Sequence, residues 1–320
     1  MTIQELINNP AAEVEKERIT EHFSGKTVLI TGGAGYIGSR LCHALFDFGA
    51  KKVIAVDIDD TRLHELWLEM DKGETFVSCL GNITDLARLA EIFAEHKVNI
   101  VFHTAAIKHV PLAELHVKET IKTNVIGTEN LLKIALAAHK VDQFINISTD
   151  KAADAINVMG KSKKVAETLC QSYGDEYDVN TMTVRFGNIY GSRGSVVPTF
   201  ENKLKNNKPV QITDVNMERY FIKPEDAILL TLQACTFNKT PDEVFTFDMG
   251  DPIKIVDIID HIVQSLEIPA IKCTLEIIGM RPGEKLTETL LSHDESRIET
   301  EHPKIYKILR NVSMEDPLCP

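Results

Sequence analysis

The sequence predicts an α/β fold: a doubly wound parallel-sheet Rossmann domain with a smaller C-terminal α/β substrate domain. Three observations predict it. Short, continuously apolar, β-branched runs recur along the first half of the chain: "KTVLIT", "KVIAVD", "NIVFHTA", "QFINIST" and "TMTVRFG". Helix-length segments separate them, the pattern of a parallel sheet covered on both faces. A glycine-rich turn joins the first run to the first of those helices.

The elements follow in chain order. Residues 1–24 read as an N-terminal arm of one or two amphipathic helices, a packing arm or an oligomer contact. Residues 25–185 carry the sheet-forming runs, and residues 215–250 return to the same domain, because "DEVFTFDMG" reads as one more strand of its sheet. Residues 186–320 are mainly a ligand-binding domain over the C-terminal ends of the strands. There "GNIYGSRGSVVP" is a Gly/Ser loop, "PVQIT" a short strand, and "PEDAILLTLQAC" and "IKIVDIIDHIVQSL" are helices. "CTLEIIGMRPGEK" is a strand running into a loop. "KHVPLAELHVKETIKTNVIGTENLLKIALAAH" has apolar residues at helical spacing, which fits either buried helices or helices that pair with a second subunit.

Composition narrows the function. The 320 residues are 43% apolar, enough for a sizeable core, and the net charge of −12 argues against a nucleic-acid or anionic-membrane binder. Any anionic ligand must be held by local dipoles and a few arginines. The six cysteines are scattered, with no C-x-x-C pair and no zinc-type Cys/His cluster, so no metal is expected and the thiols read as buried and reduced. The N-terminus is polar and acidic, and no apolar run approaches membrane-spanning length; a cytoplasmic protein is expected.

"VLITGGAGYIGSRLCHAL" follows a strand and opens a helix, with Gly32, Gly35 and Gly38 spaced G-x-x-G-x-x-G. The first glycines let the chain approach a pyrophosphate, the last lets the helix pack on the sheet, and the helix N-terminus offers N–H groups to phosphates. Tyr36 and Ile37 lie on the same turn. Asp57, ending the next strand, can accept from both adenosine ribose hydroxyls and repels a 2′-phosphate, so NAD is expected over NADP; Lys51, Lys52 and Arg62 are the nearby counterweight.

"TGGAGYIG", "HTAA", "TNVIGT" and the M-x-x-x-K segment, in this order, resemble the extended short-chain dehydrogenases/reductases. "IKHVPLAE", "ISTDKAA", "VRFGNIYGSRGSVVP", "RYFIKPEDA", "FDMGDPIKI" and "RPGEKLTETL" resemble more specifically the polysaccharide-biosynthesis branch, the nucleotide-sugar 4,6-dehydratases, from about Gly25 to Leu291. The resemblance implies a cofactor site that includes Asn82 and Ile83 near the adenine, Ala105 and Ala106 along the cofactor channel, Lys108 at the cofactor–sugar junction, and Lys163 on the nicotinamide ribose. Asn124 matches the family's structural asparagine. For a UDP-sugar, UDP-N-acetylglucosamine above all, it implies Asn188, Ser195 and Val196 in the loop over the diphosphate and sugar. It also implies Arg219 and Arg281 as pyrophosphate arginines, and Glu284 on the uridine ribose. A homodimer or higher homo-oligomer is implied as well.

The chemistry implied is oxidation at carbon 4, elimination of water across carbons 5 and 6, and return of the hydride to carbon 6. That cycle needs an acid and a base close together. Thr149, Asp150 and Lys151 emerge where the "QFINIS" strand ends, the place where open α/β sheets put their ligands. Adjacent strand residues point to opposite faces, so Asp150 and Lys151 reach one substrate only if the chain has already left extended geometry. The resemblance assigns Lys151 as the carbon-5 base, Asp150 as the acid, and Thr149 as a hydrogen-bond partner of the carbon-4 hydroxyl; that Asp150 also takes the proton of this hydroxyl is an expectation drawn from the missing tyrosine. Met159, one helical turn before Lys163, stands where most of the superfamily has tyrosine, and methionine has no proton to exchange. In related dehydratases this methionine marks retention of configuration at carbon 5. The alternatives are an inverting 4,6-dehydratase, a 4-epimerase, for which the Asp-Lys pair has no use, and a non-catalytic NAD- or nucleotide-sugar-binding regulator.

Overall fold

Seven strands run parallel in one sheet, in the order β3-β2-β1-β4-β5-β6-β11. They are β1 (Thr27–Thr31), β2 (Lys52–Asp57), β3 (Phe76–Leu80), β4 (Ile100–His103), β5 (Gln143–Ile147), β6 (Asn180–Arg185) and β11 (Glu243–Phe247). The first six repeat the strand order of a dinucleotide-binding fold, with the topological switch between β1 and β4. The computed structural model describes Ile7 and residues 11–310, apart from 238, 239, 242, 268 and 270–272.

The apolar runs form central strands because both faces are covered. Val28 and Ile30 of β1 point into one core with Phe23, Phe102 and Ile145. Leu29 between them points into the other, with Ile54, Val101 and Phe144. Helix α1 (Lys16–Phe23) buries Ile19 and Phe23 in the first core. The arm is tied down where Ala12 N donates to Asp226 and Glu15 N to Gln233. Of the expected arm, residues 1–6 and 8–10 lie outside the described residues. Around the sheet run α2 (Tyr36–Asp47), α3 (Asp60–Met70), α4 (Leu86–Glu95), α5 (Val110–Leu115), a helix α6 over 117–138 and α7 (Val158–Tyr177). In α6 the α-helical stretches Val117–Ile121 and Gly127–Leu132 alternate with π-helical stretches Lys122–Ile126 and Lys133–Ala138.

A second core holds the smaller lobe. Helices α8 (Val196–Lys205) and α10 (Ile255–Ser265) pack Val197, Phe200 and Leu204 against Ile255, Ile258 and Ile262, over Val210 and Ile212 of β8 (Val210–Ile212). Helix α9 (Pro224–Cys235) packs instead on the sheet, against α1 and α2, as the return of residues 215–250 anticipates.

One boundary needs correction. Apart from 215–250, the division placed 186–320 mainly in the smaller domain, yet β14 (Glu295–Glu299) and β15 (Ile305–Arg310) extend the main sheet as an antiparallel hairpin beside β11. "ESRIE" is the edge strand and "IYKILR" lies just inside it; both are half-solvated and rich in charge, so they lack the continuous apolar signature of the central strands.

A buried ion cluster fastens that hairpin. The fully buried Arg185, at the end of β6, donates twice to Glu167 of α7 (2.8 and 2.6 Å) and twice to Glu295 of β14 (2.6 and 2.9 Å). Burial alone raises the Glu295 carboxyl, but hydrogen bonding and charge from Arg185 hold it at about 2. Because this pKa is depressed in the fold, its contribution to stability is present above the unfolded value and is lost as pH falls through about 2. Glu295→Gln leaves half of the Arg185 fork uncompensated, an expected loss of about 3–5 kcal/mol at neutral pH. Urea unfolding checks this, and the variant's deficit should shrink as pH is lowered from neutrality towards 2.

Candidate active site

The strands of the sheet end on one side, and a long cleft opens there between the two lobes. Its inner part is lined by residues that include Tyr36, Ile37, Ala106, Lys108, Thr149, Lys151, Met159, Lys163, Asn188 and Ser195. Its outer part shares Lys108, Lys151, Asn188 and Ser195 and continues to Val196, Arg219, Arg281, Glu284 and Glu288.

At the inner end the glycine turn is built from backbone alone. Gly32 has φ +66°, and a Cβ there would lie 2.8 Å from the Ala105 nitrogen. A Cβ at Gly35 would lie 2.9 Å from the Gly32 carbonyl, and one at Gly38 would collide with that same oxygen. The turn is therefore packed backbone against backbone with no room for side chains, and it presents the N-terminus of α2, whose N–H groups fit a dinucleotide pyrophosphate. The Asp57 carboxylate accepts from Ala34 N (3.0 Å) and Asp59 N (3.1 Å), so it is fixed against the turn with lone pairs to spare. Ala105 presses its backbone on Gly32, while Ala106 lines the cleft. Asn82 is exposed and closes a turn on Thr84 N (2.9 Å); the Ile83 side chain is buried over Gly127 of α6.

The floor is braced by groups the sequence reading did not single out. Thr128 donates to the Asn124 carbonyl (2.7 Å), so it accepts from His103 Nε2 (2.9 Å), and His103 Nδ1 accepts from Thr31 (2.7 Å). Burial, then the Lys163 charge, lowers the His103 pKa to about 3, so this imidazole is a neutral tie between β1, β4 and α6. Asn124 binds both backbone groups of Ile107 and the Ser162 hydroxyl, as expected of a structural asparagine.

Thr149 ends the extended run, and a single 3₁₀ turn over Asp150–Ala152 follows, so the chain does leave strand geometry at the triplet. Asp150 Oδ1 accepts from the Thr149 hydroxyl (2.8 Å) and from Lys151 Nζ (2.9 Å), and Lys151 also reaches Asn188 Oδ1 (3.4 Å). Thr149 and Lys151 line the cleft, whereas Asp150 is fully buried behind them. The expectation that Asp150 and Lys151 both touch a substrate thus holds in geometry for Lys151 only, and Asp150 is reached through its neighbours. Its Oδ2 has no partner among the described residues. Met159 and Lys163 sit one turn apart on α7 as expected, both buried at the cleft.

At the outer end Arg219 is corrected in part. Its guanidinium donates to the carbonyl of the preceding Glu218 (2.6 Å) and to those of Leu286 (2.8 Å) and Lys285 (2.9 Å), so two of these bonds hold the 281–288 loop and the group is not wholly free for a pyrophosphate. Arg281 is half exposed and pairs at 3.8 Å with Glu284, whose carboxylate also caps Arg281 N (3.0 Å). Lys108 donates to the Arg193 carbonyl (3.1 Å) across the cleft. The Ser195 hydroxyl, at the start of α8, is buried and unpartnered among the described residues. Glu288 was missed: the motif shows a carboxylate, but only the fold shows that it is buried and faces the cleft.

A parallel Rossmann sheet with a glycine turn after β1 and a smaller lobe over the C-terminal ends of its strands is the architecture of the extended short-chain dehydrogenases/reductases. Within that class the chain belongs to the polysaccharide biosynthesis protein family, whose pattern matches residues 28–310. It is 36% identical over 310 residues to the capsular polysaccharide biosynthesis protein CapD of Staphylococcus aureus, covering 95% of this chain and 51% of that one. The chain therefore spans about half the length of that relative. It is 31% identical over 299 residues to the UDP-N-acetylglucosamine 4,6-dehydratase (inverting) of Campylobacter jejuni, covering 92% and 86% of the two chains. The X-ray structure of Pen from Bacillus thuringiensis superposes with a TM-score of 0.83 at 32% identity, covering 89% and 88%.

Burial disfavours the charged form of Lys163 and lowers its pKa to about 8, against the opposing pull of Cys170 and Glu167. In a protein labelled with ¹³C at lysine Cε, one resonance should titrate with a midpoint near 8 and vanish in Lys163→Arg. A midpoint at the ordinary lysine value, about 10.4, would exclude this environment.

Proposed function

We propose that the chain is an NAD-dependent nucleotide-sugar 4,6-dehydratase acting on UDP-N-acetylglucosamine with retention at carbon 5. The observation that carries this is the Thr149–Asp150–Lys151 constellation at the C-terminal end of β5, opening on the cleft that the glycine turn and Lys163 share. When bound, NAD supplies the hydride acceptor. The glycine turn and Asp57 hold its adenosine diphosphate, and Lys163 holds its second ribose. Asp57 beside the turn favours NAD over NADP.

The proton steps close on the chain's own residues. With Lys151 neutral and Asp150 ionised, the carbon-4 hydroxyl gives its proton to Thr149 as Thr149 passes its own to Asp150. Lys151 then removes the carbon-5 proton, and Asp150 returns the stored proton through Thr149 to the carbon-6 oxygen, which leaves as water. Lys151 finally reprotonates carbon 5. A fully buried carboxylate suits this role, because it exchanges protons only along a fixed path. Tyrosine is dispensable in such a cycle, which supports reading Met159 as the mark of a retaining enzyme. The inverting relative keeps inversion as the second reading. Arg281, Glu284, Ser195, Val196, Asn188 and Lys108 bind the UDP-sugar, and Arg219 shapes the loop that carries Arg281. Exposed Leu112, Leu115, Ile121 and Ile126 on α5 and α6 support a homo-oligomer. Among the described residues no helix is long and apolar enough to cross a membrane, compatible with the expected cytoplasmic location.

Mass spectrometry of a nucleotide-sugar panel in heavy water tests the reading: the product should lose one water and gain one solvent deuterium. Stereochemistry at carbon 5 by proton NMR after reduction separates retention from inversion. An unchanged mass across the panel, with NAD bound, would overturn the dehydratase in favour of an epimerase or a regulator. Asp150→Asn should lower turnover by at least about 10²-fold, the scale of general acid–base catalysis. Thr149→Val should fall with it, and Met159→Phe should keep most activity. A fully active Asp150→Asn enzyme would end the proton relay.

A further inference from the structure

Glu288 is 3% exposed, lines the outer part of the cleft, and has no hydrogen-bond or ion-pair partner among the described residues. A buried carboxyl in that state is costly unless something in the cleft satisfies it. The charged groups that act on it are Lys151, Asp150, Arg219 and Lys285. Each of the three cations is already committed. Lys151 is held by Asp150 and Asn188, Arg219 by the carbonyls of Glu218, Lys285 and Leu286, and Lys285 by the carbonyls of Ala153 and Asp154. Thr287 bridges to Glu218, which fixes the neighbouring Glu288 beside Arg219. Burial raises its pKa, so it retains a proton more readily than an exposed carboxyl and can donate as well as accept.

We infer that Glu288 is a specificity-determining residue that hydrogen-bonds the carbon-2/carbon-3 edge of the sugar. This rests on the nucleotide-sugar reading above. In that reading the hexose spans from the arginine-bearing loop at the outer end to the Thr149–Lys151 pair at the inner end, and Glu288 lies between the two. Carbon 1 carries the diphosphate, and carbons 4, 5 and 6 react. Ring oxygen apart, the hydrogen-bonding groups left between those ends are the substituents on carbons 2 and 3. A carboxyl suits either a hydroxyl or an acetamido group there, because it can accept from O–H or N–H and, when protonated, donate to a carbonyl.

The test is calorimetric binding of UDP, UDP-glucose and UDP-N-acetylglucosamine to the NAD-loaded wild type, Glu288→Ala and Glu288→Gln. UDP lacks the hexose and reports the nucleotide end alone. Glu288→Ala should weaken binding of the better UDP-sugar by about 10- to 100-fold, the scale of a hydrogen bond to a charged group, and reduce the difference between the two sugars. UDP should bind all three proteins alike, and Glu288→Gln should recover most of the lost affinity. Equal weakening of UDP and UDP-sugar, or no weakening of either, would overturn the inference. The dehydratase reading fails separately, if the wild type binds a UDP-sugar but releases no water from it.

Discussion

The fork of Arg185 is the interaction on which the placement of the site depends. It lies at the end of β6 and grips Glu167 on α7 and Glu295 on β14 at the same time. Glu167 in turn accepts from Ser148 (2.6 Å), the residue immediately before Thr149. A single buried guanidinium thus fixes the end of β5, the helix that carries Met159 and Lys163, and the hairpin that closes the sheet. Planarity makes this possible: two carboxylates can be met edge-on by one group, which a lysine could not do. An isolated charge at this depth would be prohibitive, and it is tolerated because its partners carry the opposite charge and are themselves bonded to Ser148, Ser292 and Lys164.

The same logic, inverted, marks the cleft. Cations along it are largely bound by backbone carbonyls or fixed carboxylates, while Asp150 Oδ2 and the Ser195 hydroxyl are buried without partners among the described residues, and the carboxyl of Glu288, a buried residue, is unpaired among them. These oxygens occur at the inner, middle and outer parts of one path. Folded proteins rarely leave such groups unsatisfied, so their alignment outlines the polar ligand the cleft is shaped to take.

Much of this was legible in the sequence because it rests on local rules. The strands that β1, β2, β4, β5, β6 and β11 became were readable from continuous apolar runs, and the glycine turn from its spacing between strand and helix. The triplet was readable from its place at a strand end, including the need to leave extended geometry there. What was not legible depends on long-range contact. Asp150 reads as a group that touches the substrate until β6 and α7 close over it. Arg219 reads as a free cation until the 281–288 loop offers it carbonyls. The β14–β15 hairpin escaped because edge strands alternate polar and apolar residues over too few positions to stand out from a charged loop. Glu288 escaped because a carboxylate in a motif does not announce whether it faces water.

The π-helical stretches of α6 carry a consequence for how the helix is phased. Each admits a wider turn with less rotation per residue, so the following residues lag around the axis relative to a regular α-helix. Asn124 lies inside the first stretch and faces Ile107, while Thr128, just past it, faces His103. In an uninterrupted α-helix one residue more or less rotates everything downstream by about 100°. Contacts with the end of β4 and with the loop that follows it are thus reconciled by a local change of pitch. A single-residue deletion between 122 and 126 would be absorbed as that stretch reverts to α-helical pitch, leaving Thr128 at the imidazole and Gly127 under Ile83.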